Sequence, residues 1–155
     1  MLKSIIGNFD NPEVNNLLIK HFIELRSVSP DGSAHVLDIS GLKNPSIKFW
    51  SLWEGDELMG VGALKFLDKL HGEFKSIRVS DKFKNKGYGF KIINHLVNEA
   101  KKLNIKRLSL ETGSGEFFTP ARKLFVKCGF KISDPFSHYV DDINSVYMSV
   151  LISNN

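Results

Sequence analysis

The chain has 155 residues, 42% of them hydrophobic and 25% charged, with a formal net charge of +4. That is the size of one ordinary domain, read here as residues 1–155, and its charge is too mild for a duplex-binding face. A single cysteine, Cys128, excludes an internal disulfide and a cysteine-based zinc site. No run approaches the roughly 20 apolar residues of a membrane span, and the first residues turn polar too soon for a signal peptide, so the expectation is a soluble cytoplasmic protein.

A short strand is expected from Ser4 to Phe9. Asn11-Pro12 supplies an N-cap and a first-turn proline, and Val14, Leu17, Leu18, His21, Phe22 and Leu25 follow at helical spacing. Ser29-Pro30-Asp31-Gly32-Ser33 breaks that helix, and the segment from His35 to Pro45 has room for a short one. From Ile47 the period becomes that of strands: Ile47–Trp53 and Leu58–Leu64 flank a Glu54-Gly55-Asp56 turn. After a second turn near Leu70-His71-Gly72 comes Glu73–Val79, the third antiparallel strand in a row. Trp50 and Trp53 read as packing in this region.

A basic glycine loop, Lys84 to Gly89, then opens a helix whose apolar face is Ile92, Ile93, Leu96, Val97, Ala100 and Leu103. Arg107–Glu111 is a short strand beyond it, so the crossover makes it parallel to Glu73–Val79. Thr119 with Pro120 reads as a second N-cap and first-turn proline, and Gly129 as the stop of a helix that turns Leu124, Phe125 and Cys128 inward. Strands near Phe130–Ile132 and Ser145–Leu151 close the chain. The fold expected is α/β (α+β): a mixed, largely antiparallel sheet of about six or seven strands with helices on both faces.

Lys84-Asn85-Lys86-Gly87-Tyr88-Gly89 carries the first chemical signal. Free backbone N–H groups and the dipole at a helix N-terminus hold anionic phosphate, and Gly87 and Gly89 let a ligand come close. Lys82, Lys84, Lys86 and Lys91 add positive charge. A tight turn on a solvated lysine-rich surface has the same composition. The chain has no G-x-x-x-x-G-K-[ST], and the loop lacks the third glycine of a dinucleotide fold.

The loop resembles the [Arg/Gln]-x-x-Gly-x-[Gly/Ala] pyrophosphate loop of the GNAT superfamily of acyl-CoA transferases, with Lys84 at its first position. Lysine there keeps the charge and loses the planar fork of arginine. The resemblance runs along the whole chain. His71–Val79 looks like the central strand of that superfamily, Leu108–Gly113 like the next, and Phe118–Phe130 like the later helix ending in Gly-Phe. Arg26–Pro30, His35–Asp38 and Asp142–Met148 resemble a branch of small single-domain bacterial enzymes. The implied activity is direct transfer of an acetyl group from acetyl-CoA to a primary amine of a small molecule, without a metal. No nucleic-acid or membrane partner is implied, and a homodimer is left open.

The resemblance also assigns residues. Lys84, Asn85, Lys86, Gly87, Tyr88 and Gly89 are the pyrophosphate loop. Ile77, Arg78 and Val79 line the pantetheine through their main chain, the Val79 N–H polarises the carbonyl, and Ala121 and Phe125 complete the cofactor wall. Glu73 stands where many members carry a catalytic base; a solvated strand-end carboxylate is the alternative, and action through a water is open. Relatives commonly carry Tyr at the position of Phe125, whose hydroxyl protonates the leaving thiolate, so that role passes to Tyr139 or to solvent.

Glu111, His35 and His71 are the candidates for binding the acceptor amine, against structural roles for each. The five histidines show no metal spacing, and Cys128 reads as a buried structural thiol. Two competing functions stand beside the leading one. The first is a non-catalytic acyl-CoA-binding module, kept in view by the missing tyrosine; the second is a protein lysine or N-terminal acetyltransferase.

Overall fold

In the computed structural model, which describes residues 2–30, 32 and 34–153, strand β1 (Leu2–Ile6) leads into helix α1 (Pro12–Val28). The Asn11 side chain accepts from the backbone N–H groups of Glu13 and Val14, and Pro12 begins the first turn, as the sequence predicts. A single-turn helix α2 (Ile39–Leu42) follows, capped by Asp38 Oδ1 on the Gly41 N–H. Strands β2 (Ile47–Glu54), β3 (Glu57–Phe66) and β4 (His71–Val79) run antiparallel to one another. Helix α3 (Tyr88–Lys102), strand β5 (Arg107–Gly113), helix α4 (Thr119–Lys127), strand β6 (Lys131–Ile132) and strand β7 (Ser145–Leu151) complete the order.

The strands form one mixed sheet in the order β1-β2-β3-β4-β5-β7-β6. Helices cover both faces. On one, α1 and α2 seal Val14, Leu17, Leu18 and Leu42 against Phe49, Trp53, Leu58, Val61 and Ala63. On the other, Ile92, Ile93 and Leu96 of α3 and Phe125 of α4 close over Trp50, Leu64, Phe74, Leu108 and Leu110. Both tryptophans are core residues, and because they lie three positions apart on β2 the alternation of the strand sends them to opposite faces.

Local differences from the expected elements have physical causes. Gly7 and Asn8 take positive φ (74° and 72°) and end β1 early, so Phe9 instead stacks on Phe49 with centroids 4.7 Å apart. Phe118, not Thr119, precedes α4, because a 3-10 turn at Glu116–Phe118 runs straight into the helix and the Thr119 hydroxyl accepts from Arg122. Asp31 and Ser33 of the expected helix-breaking turn lie outside the described residues, as does Met1; the helix itself stops at Val28 with Ser29 extended.

Two irregularities create the site. The parallel pairing of β4 with β5 covers only His71↔Arg107, Gly72↔Leu108 and Glu73↔Ser109, after which the strands diverge. On its other side β4 carries a bulge: Lys75 pairs with Ala63 and Arg78 with Val61, with Ser76 at φ 53° between them. A bulge re-aims side chains. Here it turns both Lys75 and Arg78 to the α1 face, while Phe74, Ile77 and Val79 pack on the α3 side.

Candidate active site

The divergence of β4 and β5 opens a cleft of about 420 Å³. Its walls are Phe74–Val79 of β4, Leu110–Thr112 of β5, and residues 117, 118, 120, 121, 124 and 125 before and on α4. His21, Glu24 and Leu25 of α1 close one side, and Lys84, Asn85 and Gly89 lie at its mouth. Unlike α1, α3 has no side-chain cap, and its N-cap is Gly87 at φ 84°. Its first N–H groups therefore have no capping side chain, and Asn85 at φ 60° helps curl the loop before them. A Cβ on Gly89 would meet Leu124 at 2.7 Å, so glycine there allows α4 to approach α3.

A smaller cavity of about 90 Å³ adjoins the cleft on the α1 face. His21, Phe74, Lys75, Ser76, Glu111 and Thr112 line both spaces, and His35 and Leu37 wall the smaller one. Glu111 is largely buried, and burial pushes its carboxyl up to about 7 against the opposing influence of Ser145 and Lys75. His21 is buried in α1; burial first, and Arg78 second, hold it down at about 4, so it is neutral near pH 7.

Beside the smaller cavity lies a buried polar knot. Glu73 is 1% exposed, and its Oε2 accepts from Tyr139 Oη at 2.6 Å and pairs with Lys75 Nζ at 3.3 Å. Lys75 Nζ also donates to Tyr139 Oη at 2.9 Å and to the His35 carbonyl at 3.3 Å. Burial and the Glu73 charge drive the Tyr139 phenol far above its usual range. Tyr139 arrives on the segment between β6 and β7, packed by Phe136, His35 and Tyr147. Deeper still, His71 Nε2 meets Ser109 Oγ at 2.6 Å, which meets Ser149 Oγ at 2.6 Å.

Residues 12–130 match the model of the acetyltransferase (GNAT) family. The chain belongs to that family. It is 45% identical over 144 residues to the uncharacterized N-acetyltransferase YsnE of Bacillus subtilis, across 93% of this chain and 95% of that one. It is 39% identical over 145 residues to the uncharacterized N-acetyltransferase YedL of Escherichia coli, across 94% and 91%. Its fold matches that of a GNAT family acetyltransferase from Elizabethkingia anophelis with acetyl-CoA bound, at a TM-score of 0.71 and 18% identity over 97% and 98% of the two chains. The chain is thus an N-acetyltransferase.

Most GNAT residues anticipated from the sequence meet at the cleft. Ile77, Arg78, Val79, Lys84, Asn85, Gly89, Ala121 and Phe125 line it, with Gly87 and Tyr88 at the start of α3 and Lys86 beside them in the loop. Lys84 pairs with Asp81 at 2.9 Å. Phe125 packs on Phe130 and forms an apolar wall. Glu111 and His35 line the smaller cavity. Glu73, Tyr139 and His71 stand apart from the walls of both spaces. Among the described residues no group of three or more His, Cys, Asp or Glu could hold a metal ion, and no helix is long and apolar enough to cross a membrane.

From the sequence the first helix is expected to help shape the acceptor site, but none of its residues is singled out; His21, Glu24 and Leu25 are the ones that line the cleft. His21 was placed in the apolar stripe, yet a histidine there, one turn before Leu25 and three residues before Glu24, was the available signal of a site-facing end. Arg122 is another: it donates to the carbonyls of Gly113 at 2.6 Å and Gly115 at 2.9 Å, pinning the end of β5 to α4 beside the cleft.

Proposed function

We propose that the protein transfers an acetyl group from acetyl-CoA directly to the primary amine of a small molecule, the coenzyme lying between β4 and β5. The carrying observation is that a strand divergence opens a cleft with an uncapped helix N-terminus at its mouth and a small side cavity adjoining it. Acetyl-CoA fits this arrangement. The unpaired edge of β4 offers backbone partners to a pantetheine arm, and the α3 N-terminus with Asn85 suits a pyrophosphate. When bound, it supplies an acetyl group on a thioester. The small volume of the side cavity favours a small acceptor over a protein lysine.

Glu111 is the better-placed proton acceptor for the incoming ammonium. It lines both spaces, and a carboxyl titrating near neutrality is matched to general-base work. Glu73, held by Lys75 and Tyr139, is assigned a positioning role: it fixes the Lys75 ammonium away from the amine. The Val79 N–H is the proposed donor to the carbonyl oxygen as negative charge develops. Tyr139 already donates its proton to Glu73, and Phe125 has none, so the leaving thiolate takes its proton from solvent.

The test is thiol release from acetyl-CoA against a mixed panel of amines, amino acids and peptides, with calorimetry for coenzyme binding. Turnover of small amines in preference to peptides is expected. Gly87→Val, strained by the positive φ but with open space around its Cβ, should stay folded and lose coenzyme affinity by about tenfold or more. Unchanged coenzyme affinity in that variant would remove the α3 loop from the site. Coenzyme binding with no acceptor in the panel would favour the non-catalytic module.

A further inference from the structure

Buried polar groups find partners, and those that do not mark places where a ligand supplies them. Three neighbours at the junction of cleft and side cavity are in that condition. The Ser76 hydroxyl, His21 Nδ1, and both Nε and Nη2 of Arg78 are buried without a hydrogen-bond partner. All three residues line the cleft, and two line the smaller cavity as well.

Arg78 is 8% exposed, and its Nη1 donates to Glu24 Oε1 at 2.7 Å. The rest of its planar fork is unspent. Lys75, the nearby cation of β4, has its donors committed to Glu73, Tyr139 and the His35 carbonyl. An arginine edge, a serine hydroxyl and a neutral imidazole whose Nδ1 can carry the proton are together a set of donors. Donors of this kind suit a carboxylate, which an arginine fork binds with both oxygens. Ser76 is in the left-handed region at φ 53°, so the bulge that exposes Arg78 to the cleft holds a strained residue in place.

We propose that the acceptor is a carboxylate-bearing amine, an amino acid, whose carboxylate binds Arg78, Ser76 and His21 while its amine faces Glu111. The inference rests on the side cavity being the acceptor site of the proposed transferase. It explains one otherwise costly arrangement, two buried guanidinium donors left without partners. Glu111, which lines both the cleft and the side cavity, then faces the amine.

The experiment pairs each amino acid, including β- and γ-amino acids, with its decarboxylated amine and its methyl ester in the thiol-release assay. The free acid should be favoured by roughly 10²-fold in kcat/KM, because an analogue without the carboxylate leaves the buried donors unpaired. Arg78→Met should bring that ratio close to unity, raising KM more than it lowers kcat. Equal rates for acid, amine and ester, with the amines turned over, would overturn the carboxylate assignment and leave the transferase reading intact.

Product binding reads the same preference without turnover. Calorimetric titration of the CoA-loaded wild-type protein with N-acetyl amino acids should show tighter binding than with the matched N-acetyl amines. No preference there overturns the inference even if no acceptor is turned over, and this arm does not depend on any variant folding. Arg78→Met should leave the dissociation constant for CoA itself within about threefold of wild type. A larger loss would mean that the coenzyme takes the free arginine edge, and the inference fails.

Discussion

One face of the sheet is built in two different ways. Over β2 and β3 it is an apolar core in which Val14, Leu17, Leu18 and Leu42 meet Phe49, Trp53, Val61 and Ala63. Over β4, β5 and β7 the same face presents His71, Glu73, Lys75, Ser109, Glu111, Tyr147 and Ser149, covered by the segment that carries Phe136 and Tyr139. Helix α1 spans the boundary: its first turns serve the core, and its later residues His21, Glu24 and Leu25 line the cleft. The apolar half is stabilised by burial and needs only shape. The polar half must satisfy each buried group individually, and where it fails to do so it becomes a site.

The largest effect that tests this division is on activity from the polar half. Glu111→Gln removes the proposed base and should lower kcat by roughly 10²- to 10³-fold, with coenzyme affinity unchanged. The same change should stabilise the fold at higher pH. A glutamate with its folded pKa raised from 4.5 to about 7 is ionised more readily in the unfolded chain, so stability falls as pH rises between those values. The Gln variant should lack that decline, and the wild-type rate should climb through about pH 7 and level off. An unshifted rate profile in Glu111→Gln would return the base role to Glu73.

Next comes the apolar half. Leu18 is 3% exposed and does not line the cleft. Leu18→Ala should cost about 2–4 kcal/mol by denaturant unfolding, from lost burial and the cavity left behind. The protein that remains folded should keep its kcat and KM. A large fall in kcat per folded molecule would mean that the two halves are coupled through α1.

The division also accounts for what the sequence made legible. The helical stripe Val14-Leu17-Leu18, the face Ile92-Ile93-Leu96 and the Asn11-Pro12 cap are local patterns, and each became the element expected of it. The order of three antiparallel strands, a crossover helix and a parallel partner followed from them. Less legible was the polar half, because its partners are far apart in the chain. Glu73 meets Tyr139 across 66 residues, and Arg78 meets Glu24 across 54. The bulge at Ser76 was invisible for a different reason. It turns Arg78 onto the same face as Lys75, contrary to simple alternation, so no period of two could place that side chain. Of the acceptor-side candidates Glu111, His35 and His71, the first two line the smaller cavity, whereas His71 is bonded to Ser109 away from it.

The smallest effect comes from within the polar knot, and it separates holding a charge from donating a proton. Tyr139 Oη donates to Glu73 Oε2 at 2.6 Å and accepts from Lys75 at 2.9 Å, and the residue is 8% exposed. Tyr139→Phe deletes both bonds and leaves Glu73 with Lys75 as its remaining partner, while Glu73 Oε1 already lacks one. The expected cost is about 1–2 kcal/mol in stability, the range for leaving a buried acceptor under-satisfied. Turnover should change by less than about tenfold, equivalent to ~1.4 kcal/mol in the barrier, because the phenol neither lines the cleft nor has a free proton to give. Denaturant unfolding and steady-state kinetics on one preparation decide it. A stability loss with near-normal kcat keeps Tyr139 in the supporting half and leaves solvent as the acid. A fall of two orders of magnitude in kcat at unchanged KM and unchanged stability would make Tyr139 the proton donor to the thiolate. The segment between β6 and β7 would then have to move its hydroxyl from Glu73 into the cleft during turnover.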